Sequence, residues 1–319
     1  MSQITHEVLD RAAGTILGCA VGDALGAGYE FEGPRDPATV TMRPGNLTGR
    51  PPGKWTDDTE MTLGVLMAQA DGASLLDDGI AAVASNFLTW FDSRPPDVGN
   101  QTRQILRQCT RPDEMLEVAE KFQELSPNAA GNGSLMRTGT VALSYLGNDH
   151  LLSEAAKRVS RLTHPHIDAQ EACVLWTLAI DRGVRGVGSW RTNMNHALAT
   201  LPEERGQLWL NRLTEAESVH LGELRPNGWV VRALQAAWRS IVATASDSAA
   251  DHLHEAMQFA VGIGDDTDTI SAIAGAYLGG HYGASELRPD WTEQLGGWPD
   301  GLGSNDLRSL AEQAVRKSS

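Results

Sequence analysis

Cysteine is nearly absent from this chain: Cys19, Cys109 and Cys173 are three in 319 residues. Widely spaced and odd in number, they suggest neither a disulfide framework nor a thiolate zinc cluster, and they fit a reducing compartment. Basic residues are scarce, with 26 Lys and Arg against 41 Asp and Glu, a formal net charge of −15. An acidic surface repels phosphate backbones, so broad binding to nucleic acid is not expected, although one local site can still hold a small anion. No apolar run approaches the roughly 20 residues that span a bilayer. The start, MSQITHEVLDRAAG, sets Glu7, Asp10 and Arg11 ahead of any apolar run, unlike a signal peptide. A cytoplasmic protein without membrane contact is the expectation. Reactive signatures are missing too: no P-loop, no H-E-x-x-H, no G-x-S-x-G and no C-x-x-C. The glycines from Gly183 to Gly188 do not make a dinucleotide fingerprint. Strand signals reduce to one short alternating stretch, 38–42.

What is present is helical. Hydrophobic residues make up 41% and charged residues 21%, enough for a sizeable core and too apolar for a disordered chain. Apolar residues recur at three and four over 8–25, 60–70, 80–91, 112–124, 151–162, 167–181, 203–216, 229–243, 252–261 and 307–317. A further helical run is expected at 135–146. Loops gather Gly, Pro and Asn at 33–54, 93–100, 126–134 and 224–228, and none resembles a flexible interdomain linker. We therefore expect one all-α domain over 1–319, a compact many-helix fold without fixed-period repeats. Gly14, Gly18 and Gly22 share a helix face, and Gly275, Gly279 and Gly283 repeat the spacing. Each interior glycine costs a helix about 1 kcal/mol, so the two runs imply close packing between two central helices.

Two acidic clusters stand out: Trp55, Thr56, Asp57, Asp58, Thr59, and Gly264, Asp265, Asp266, Thr267, Asp268, Thr269. Each precedes an apolar helical run, and Asp and Thr are favoured caps. Capping uses one such residue rather than four or five, and crowded carboxylates repel unless a cation offsets them. Carboxylate and hydroxyl donors without clustered His or Cys favour Mg²⁺, Mn²⁺ or Ca²⁺ over zinc. Two clusters from distant sequence could hold two ions about 3.5–4 Å apart. Gly131, Asn132, Gly133 and Ser134 form a loop able to cradle a diphosphate, or an ordinary turn. Asp97 between Pro96 and Gly99 could simply shape a turn, Glu30 could be a solvated acid, and His164 could belong to a helix-breaking turn. The clusters alone also fit a Mg²⁺-dependent nucleotide phosphohydrolase.

The stretches GTILGCAVGDALGAGYEFEG, GKWTDDTEMTL, PPDVGNQT, GNGSLMR, LTHPH and GIGDDTDTISAIAGAYLGG, in this order, resemble the ADP-ribosylglycohydrolase family over nearly the whole chain. The resemblance implies an all-α fold with a central cleft holding a dinuclear Mg²⁺ or Mn²⁺ centre. It implies a hydrolase that removes ADP-ribose from a modified protein or nucleic acid by cleaving the C1″ glycosidic bond, releasing ADP-ribose. By position it gives Thr56, Asp57, Asp58, Asp266, Asp268 and Thr269 as metal ligands, with Glu30 and Asp58 at the reacting centre. It gives Asp97, Gly99, Gly131, Asn132 and His164 as substrate contacts; Gly133 and Ser134 of the candidate diphosphate loop complete the expected contacts, and loops 33–54 and 201–228 are candidates for the rim. An ADP-ribose-binding module with little turnover is the alternative. Asp265 stands where many members have glycine. Ala129 and Ala130 stand where some have an aromatic against the adenine, leaving Trp229 as a candidate for that role or for the core.

Overall fold

The computed structural model describes residues 4–77 and 79–318. Among these, fourteen α-helices carry the fold and no strand forms, only three isolated bridges. The first half holds α1 (His6–Gly26), α2 (Asp57–Ala70), α3 (Gly79–Asp92), α4 (Asn100–Leu106), α5 (Met115–Leu125), α6 (Asp149–Arg161) and α7 (Ile167–Val184). The second holds α8 (Trp190–Thr200), α9 (Glu203–Ala216), α10 (Val230–Ala243), α11 (Ala249–Ile263), α12 (Thr267–Tyr282), α13 (Pro289–Thr292) and α14 (Ser304–Lys317). Local chemistry starts several of them. Thr5, Asn148 and Ser248 accept the Val8, Leu151 and Asp251 amides at 3.4, 3.1 and 3.2 Å and so cap α1, α6 and α11. No helix is long and apolar enough to cross a membrane.

The centre is α1 against α12. Every residue of α1 from Ala12 to Gly26, and of α12 from Thr267 to Gly280, is buried. Helices without a polar face belong in a core. They run antiparallel and touch backbone to backbone. A Cβ at Gly18 would stand 2.1 Å from the Gly275 carbonyl oxygen, and one at Gly14 2.1 Å from that of Gly279. The contact continues through Gly22 on Ser271 to Gly26 on Asp268. The C-terminal end of α1 is thus held against the N-terminal end of α12, where the second acidic cluster lies. The expected third glycine of α12 is different: Gly283 lies past the helix at φ +109° and serves as its cap.

Three expectations need correction. Residues 38–42 form no strand, because Pro37 opens a 3₁₀ turn over Pro37–Thr39 whose Ala38 amide is taken by the Asp36 carboxylate at 3.0 Å. Residues 135–146 form no regular helix, only turns and a 3₁₀ segment over Gly139–Leu143. There the Thr138 hydroxyl donates to the Ser134 carbonyl and the Arg137 guanidinium to the Gly133 carbonyl, drawing the chain into a tight buried coil. Helix α8 was not expected, since its sequence WRTNMNHALAT has little apolar periodicity; it starts on a reciprocal Ser189–Thr192 cap.

Candidate active site

Asp23, near the end of α1, does the capping for α2. Its carboxylate accepts the Thr56 and Thr59 amides at 2.9 and 3.0 Å and their hydroxyls at 2.7 and 2.6 Å. Thr56, the residue at the cap position, makes no capping bond of its own. Asp57 and Asp58 in the first turn are therefore not needed as caps, and both are buried. The same division of labour holds at α12. Asp266 makes no capping bond with its side chain. Asn227 instead accepts the Asp266 amide at 3.0 Å and donates to the Gly264 carbonyl at 3.1 Å. The capping explanation of the two clusters fails on these bonds.

The clusters meet. Oxygens of Asp23, Asp58 and Asp268 lie within 4.8 Å of one another, as do those of Glu30, Asp97 and Asp268, so Asp268 belongs to both groups. The Thr269 hydroxyl donates to Asp58 Oδ2 at 3.2 Å, and the Thr56 hydroxyl lies 3.4 Å from Asp268 Oδ2. Asp58 Oδ1 is buried with no hydrogen-bond partner among the described residues. Leaving a buried carboxylate oxygen unpaired costs about 1–3 kcal/mol or more, unless a cation takes its lone pairs. Burial and mutual repulsion push the acids up: Glu30 to about 9, through burial first and then Asp97, Asp266 and Asp57. Asp57, Asp58 and Asp268 are driven well above the usual carboxylate range by burial and their acidic neighbours. These donors are all hard oxygens, which fit Mg²⁺ or Mn²⁺.

A cleft of about 550 Å³ opens over the acids. Glu30, Asp57, Asp58, Asp97, Gly99, Gly131, Asn132, Gly133, His164, Asp266, Asp268 and Thr269 all line it. Two expected site residues do not. Ser134 is fully buried behind the loop, where its hydroxyl accepts from Ser160 at 3.0 Å. Thr56 lies beneath Asp268 with its hydroxyl on Asp23. A larger depression of about 870 Å³ beside residues 50–54 and 93–96 holds no free buried acid: Glu60 there is tied to Arg50 at 2.7 Å and Trp90 at 2.6 Å.

The far wall is the glycine loop. The Asn132 side chain donates to Asp266 Oδ2 at 2.7 Å, and its amide to the Gly228 carbonyl at 3.1 Å. The amides of Gly131, Gly133 and Ser134 have no protein acceptor among the described residues. A Cβ at Gly133 would come 3.1 Å from the His164 ring, so glycine there makes room for that histidine. Burial, then the charge of Arg137, holds His164 well below its ordinary value, hence neutral. Arg137, fully buried, ties the two together, donating to the Gly133 carbonyl at 3.1 Å and to Thr163 Oγ1 at 2.7 Å. Trp229 is not in the core: it is 43% exposed and lines a second pocket that shares Gly131 and Gly228 with the cleft. Of loops 33–54 and 201–228, only Gly228 lines the cleft itself, because 203–216 is helix α9. Asp23, Asn227 and Arg137 were missed as site residues. Their role is to hold partners far away in sequence, which no local pattern signals.

Asp265 does not join the acids. At φ +66° its side chain turns out to Arg225, 2.8 Å away, while its backbone pairs with Phe31 and Glu32.

The all-helical fold thus sets a buried oxygen-donor cluster beneath a cleft with an amide-lined loop, a site able to hold cations beside an anionic ligand. The ADP-ribosylglycohydrolase family model matches residues 4–319, and the chain belongs to that family. It is 28% identical to the ADP-ribosylarginine hydrolase Tri1 of Serratia proteamaculans over 96% of this chain and 79% of that one. It is 29% identical to the ADP-ribosyl-dinitrogen reductase glycohydrolase of Rhodospirillum rubrum, over 90% and 91% of the two chains. A solved structure, an ADP-ribosylglycohydrolase-related protein complex, superposes with a TM-score of 0.74 at 29% identity, covering 99% of this chain and all of that one. The protein is accordingly an enzyme that hydrolyses the glycosidic linkage of ADP-ribose.

Proposed function

We propose that this enzyme uses two Mg²⁺ or Mn²⁺ ions to release ADP-ribose from modified arginine side chains of a protein. The observation that carries it is the pair of carboxylate groups joined through Asp268, with the Asp58 oxygen left unpaired beside them. Asp57, Asp58, Asp266, Asp268 and Thr269 would hold the ions, with Thr56 behind them and Asp97 closing the second group. When bound, the ions supply positive charge at the ribose and make a water more acidic. Glu30, lining the cleft beside Asp97 and Asp268, is placed to exchange a proton with the departing nitrogen or the attacking water as charge builds at C1″. The free amides of Gly131 and Gly133, which line the cleft, would receive the diphosphate, with neutral His164 beside it. Asn132 ties that loop to Asp266, so diphosphate and ribose are fixed relative to one another.

The arginine acceptor is supported by the relatives: both Tri1 proteins, from Serratia proteamaculans and Pseudomonas putida, are named as ADP-ribosylarginine hydrolases.

The test is release of free ADP-ribose from arginine-, serine- and nucleic-acid-linked substrates, with Mg²⁺, with Mn²⁺ and with chelator. Metal-dependent release from the arginine linkage is expected. Altering a group behind a metal ligand commonly costs about 10–100-fold, so Asp266→Ala should lose more than that. Full activity in Asp266→Ala would sink the metal assignment, and tight ADP-ribose binding without release from any linkage would make the protein a reader.

A further inference from the structure

Phe31 follows Glu30 directly and lines the cleft, yet it is 65% exposed. A large apolar ring turned to water gains nothing from the hydrophobic effect. Its backbone sits at φ +58°, in the left-handed region that bulky residues avoid. Strain of that kind persists where the surroundings impose it, and it clusters at sites that use it. Here the surroundings are visible. The Phe31 amide donates to the Asp265 carbonyl at 2.6 Å, and the Asp265 amide returns to the Glu32 carbonyl at 3.0 Å. Asp265 is itself left-handed, so two strained residues hold each other in place. The flanking side chains are engaged elsewhere. Tyr29 lies under the Arg35 and Arg43 guanidinium groups, 4.2 and 3.7 Å from its ring centre, and Glu32 is paired with both arginines. The Glu30 carbonyl accepts the Asn46 side chain at 2.7 Å. Of residues 29–32, only Phe31 is exposed.

We propose that Phe31 selects the acceptor: its ring is the face on which the planar guanidinium of an ADP-ribosylated arginine rests while Glu30 meets the bond to be broken. An aromatic face beside carboxylates is the chemistry that holds a planar cation, through cation–π attraction and stacking together. A neutral hydroxyl-linked acceptor gains little from either. The left-handed backbone keeps the ring at the mouth instead of letting it fold onto the core. This inference rests on the arginine reading given above.

The experiment compares the full chain with Phe31→Ala, Phe31→Leu, Phe31→Tyr and Phe31→Gly, all with Mg²⁺, on arginine-linked and serine-linked substrates. Binding of free ADP-ribose is measured by calorimetry alongside. Phe31→Ala and Phe31→Leu should raise KM for the arginine linkage about tenfold, with kcat and the Kd for ADP-ribose little changed, and Phe31→Tyr should restore KM. Phe31→Gly suits the left-handed backbone and removes the whole side chain, so it should raise KM in the same way and decides the matter where Phe31→Ala folds poorly. Unchanged KM in Phe31→Gly overturns the proposal. So does an equal loss on all linkages together with weaker ADP-ribose binding, which would place the ring against ADP-ribose. A wild-type protein inactive on arginine linkages would instead refute the function reading itself, a result distinct from variants that match an active wild type.

Discussion

Asp265 shows how far one residue can be read from sequence and where reading stops. Its place among acids marked it as an oddity beside possible ligands, and its direction was open. The structure turns it outward to Arg225 with both side chains partly exposed. An ion pair of that exposure contributes about 0–1 kcal/mol, and the left-handed backbone offsets part of that gain. Asp265→Gly should therefore change stability by less than about 1 kcal/mol and leave metal affinity and turnover near wild type. Titration of Mn²⁺ binding checks this, and a large loss of affinity would place Asp265 among the ligands after all. Asp58, Asp266 and Asp268 stood out as clustered carboxylates and Glu30 only through the family resemblance, and the structure sets all four on one cleft. Asp23 and Asn227 were not, because each serves a helix end far from it in sequence, across the fold.

At the scale of elements, the glycine spacing was the most informative pattern in the chain. Gly14, Gly18 and Gly22 announced a close helix contact, and α12 supplies it. What spacing could not give was direction. The antiparallel crossing sets Asp23 and Glu30 beside Asp266 and Asp268, so the packing that stabilises the core also assembles the acids. Gly18→Ala would drive a methyl group into the Gly275 carbonyl, and neither backbone can yield without separating the helices. Overpacking of this sort costs about 1–3 kcal/mol and occasionally more; a backbone clash belongs at the upper end. The expected result is a clear drop in melting temperature with weakened Mg²⁺ binding. Gly33→Ala, where nothing lies within 4 Å, is the control and should stay within about 0.5 kcal/mol. If Gly18→Ala melts like that control, the helices are not in backbone contact. The missed coil at 135–146 has a related cause: the buried side chains of Arg137 and Thr138 hydrogen-bond the Gly133 and Ser134 carbonyls in place of a helix ladder.

For the whole molecule, the acids link stability to pH. Asp23 is pushed up to about 6 and Glu30 to about 9, burial being the first cause of each. The folded chain then holds protons that the unfolded chain has already lost, so without cations stability falls as pH rises from about 4 to about 9. Cations compete with those protons and bind better as pH rises. Melting temperature in chelator should decline between pH 5 and pH 9, and excess Mn²⁺ should flatten or reverse the decline, since a ligand of the native state raises its stability. Superimposable profiles with and without Mn²⁺ would contradict a cation site. The net charge of −15 acts in the same direction as the acids, and it is diffuse enough for 0.15 M salt to screen much of it.

The contact between α1 and α12 also sets a timetable. Gly18 leaves the ribosome 257 positions ahead of Gly275, which at about 5–20 residues per second is roughly 13–50 s. Through that interval the buried surface of α1 has no α12 to cover it, and Asp23 at the end of α1 and Glu30 in the turn after it have no opposite wall. A nascent chain of this enzyme is therefore both sticky and inert until α12 emerges, and catalysis is withheld until then.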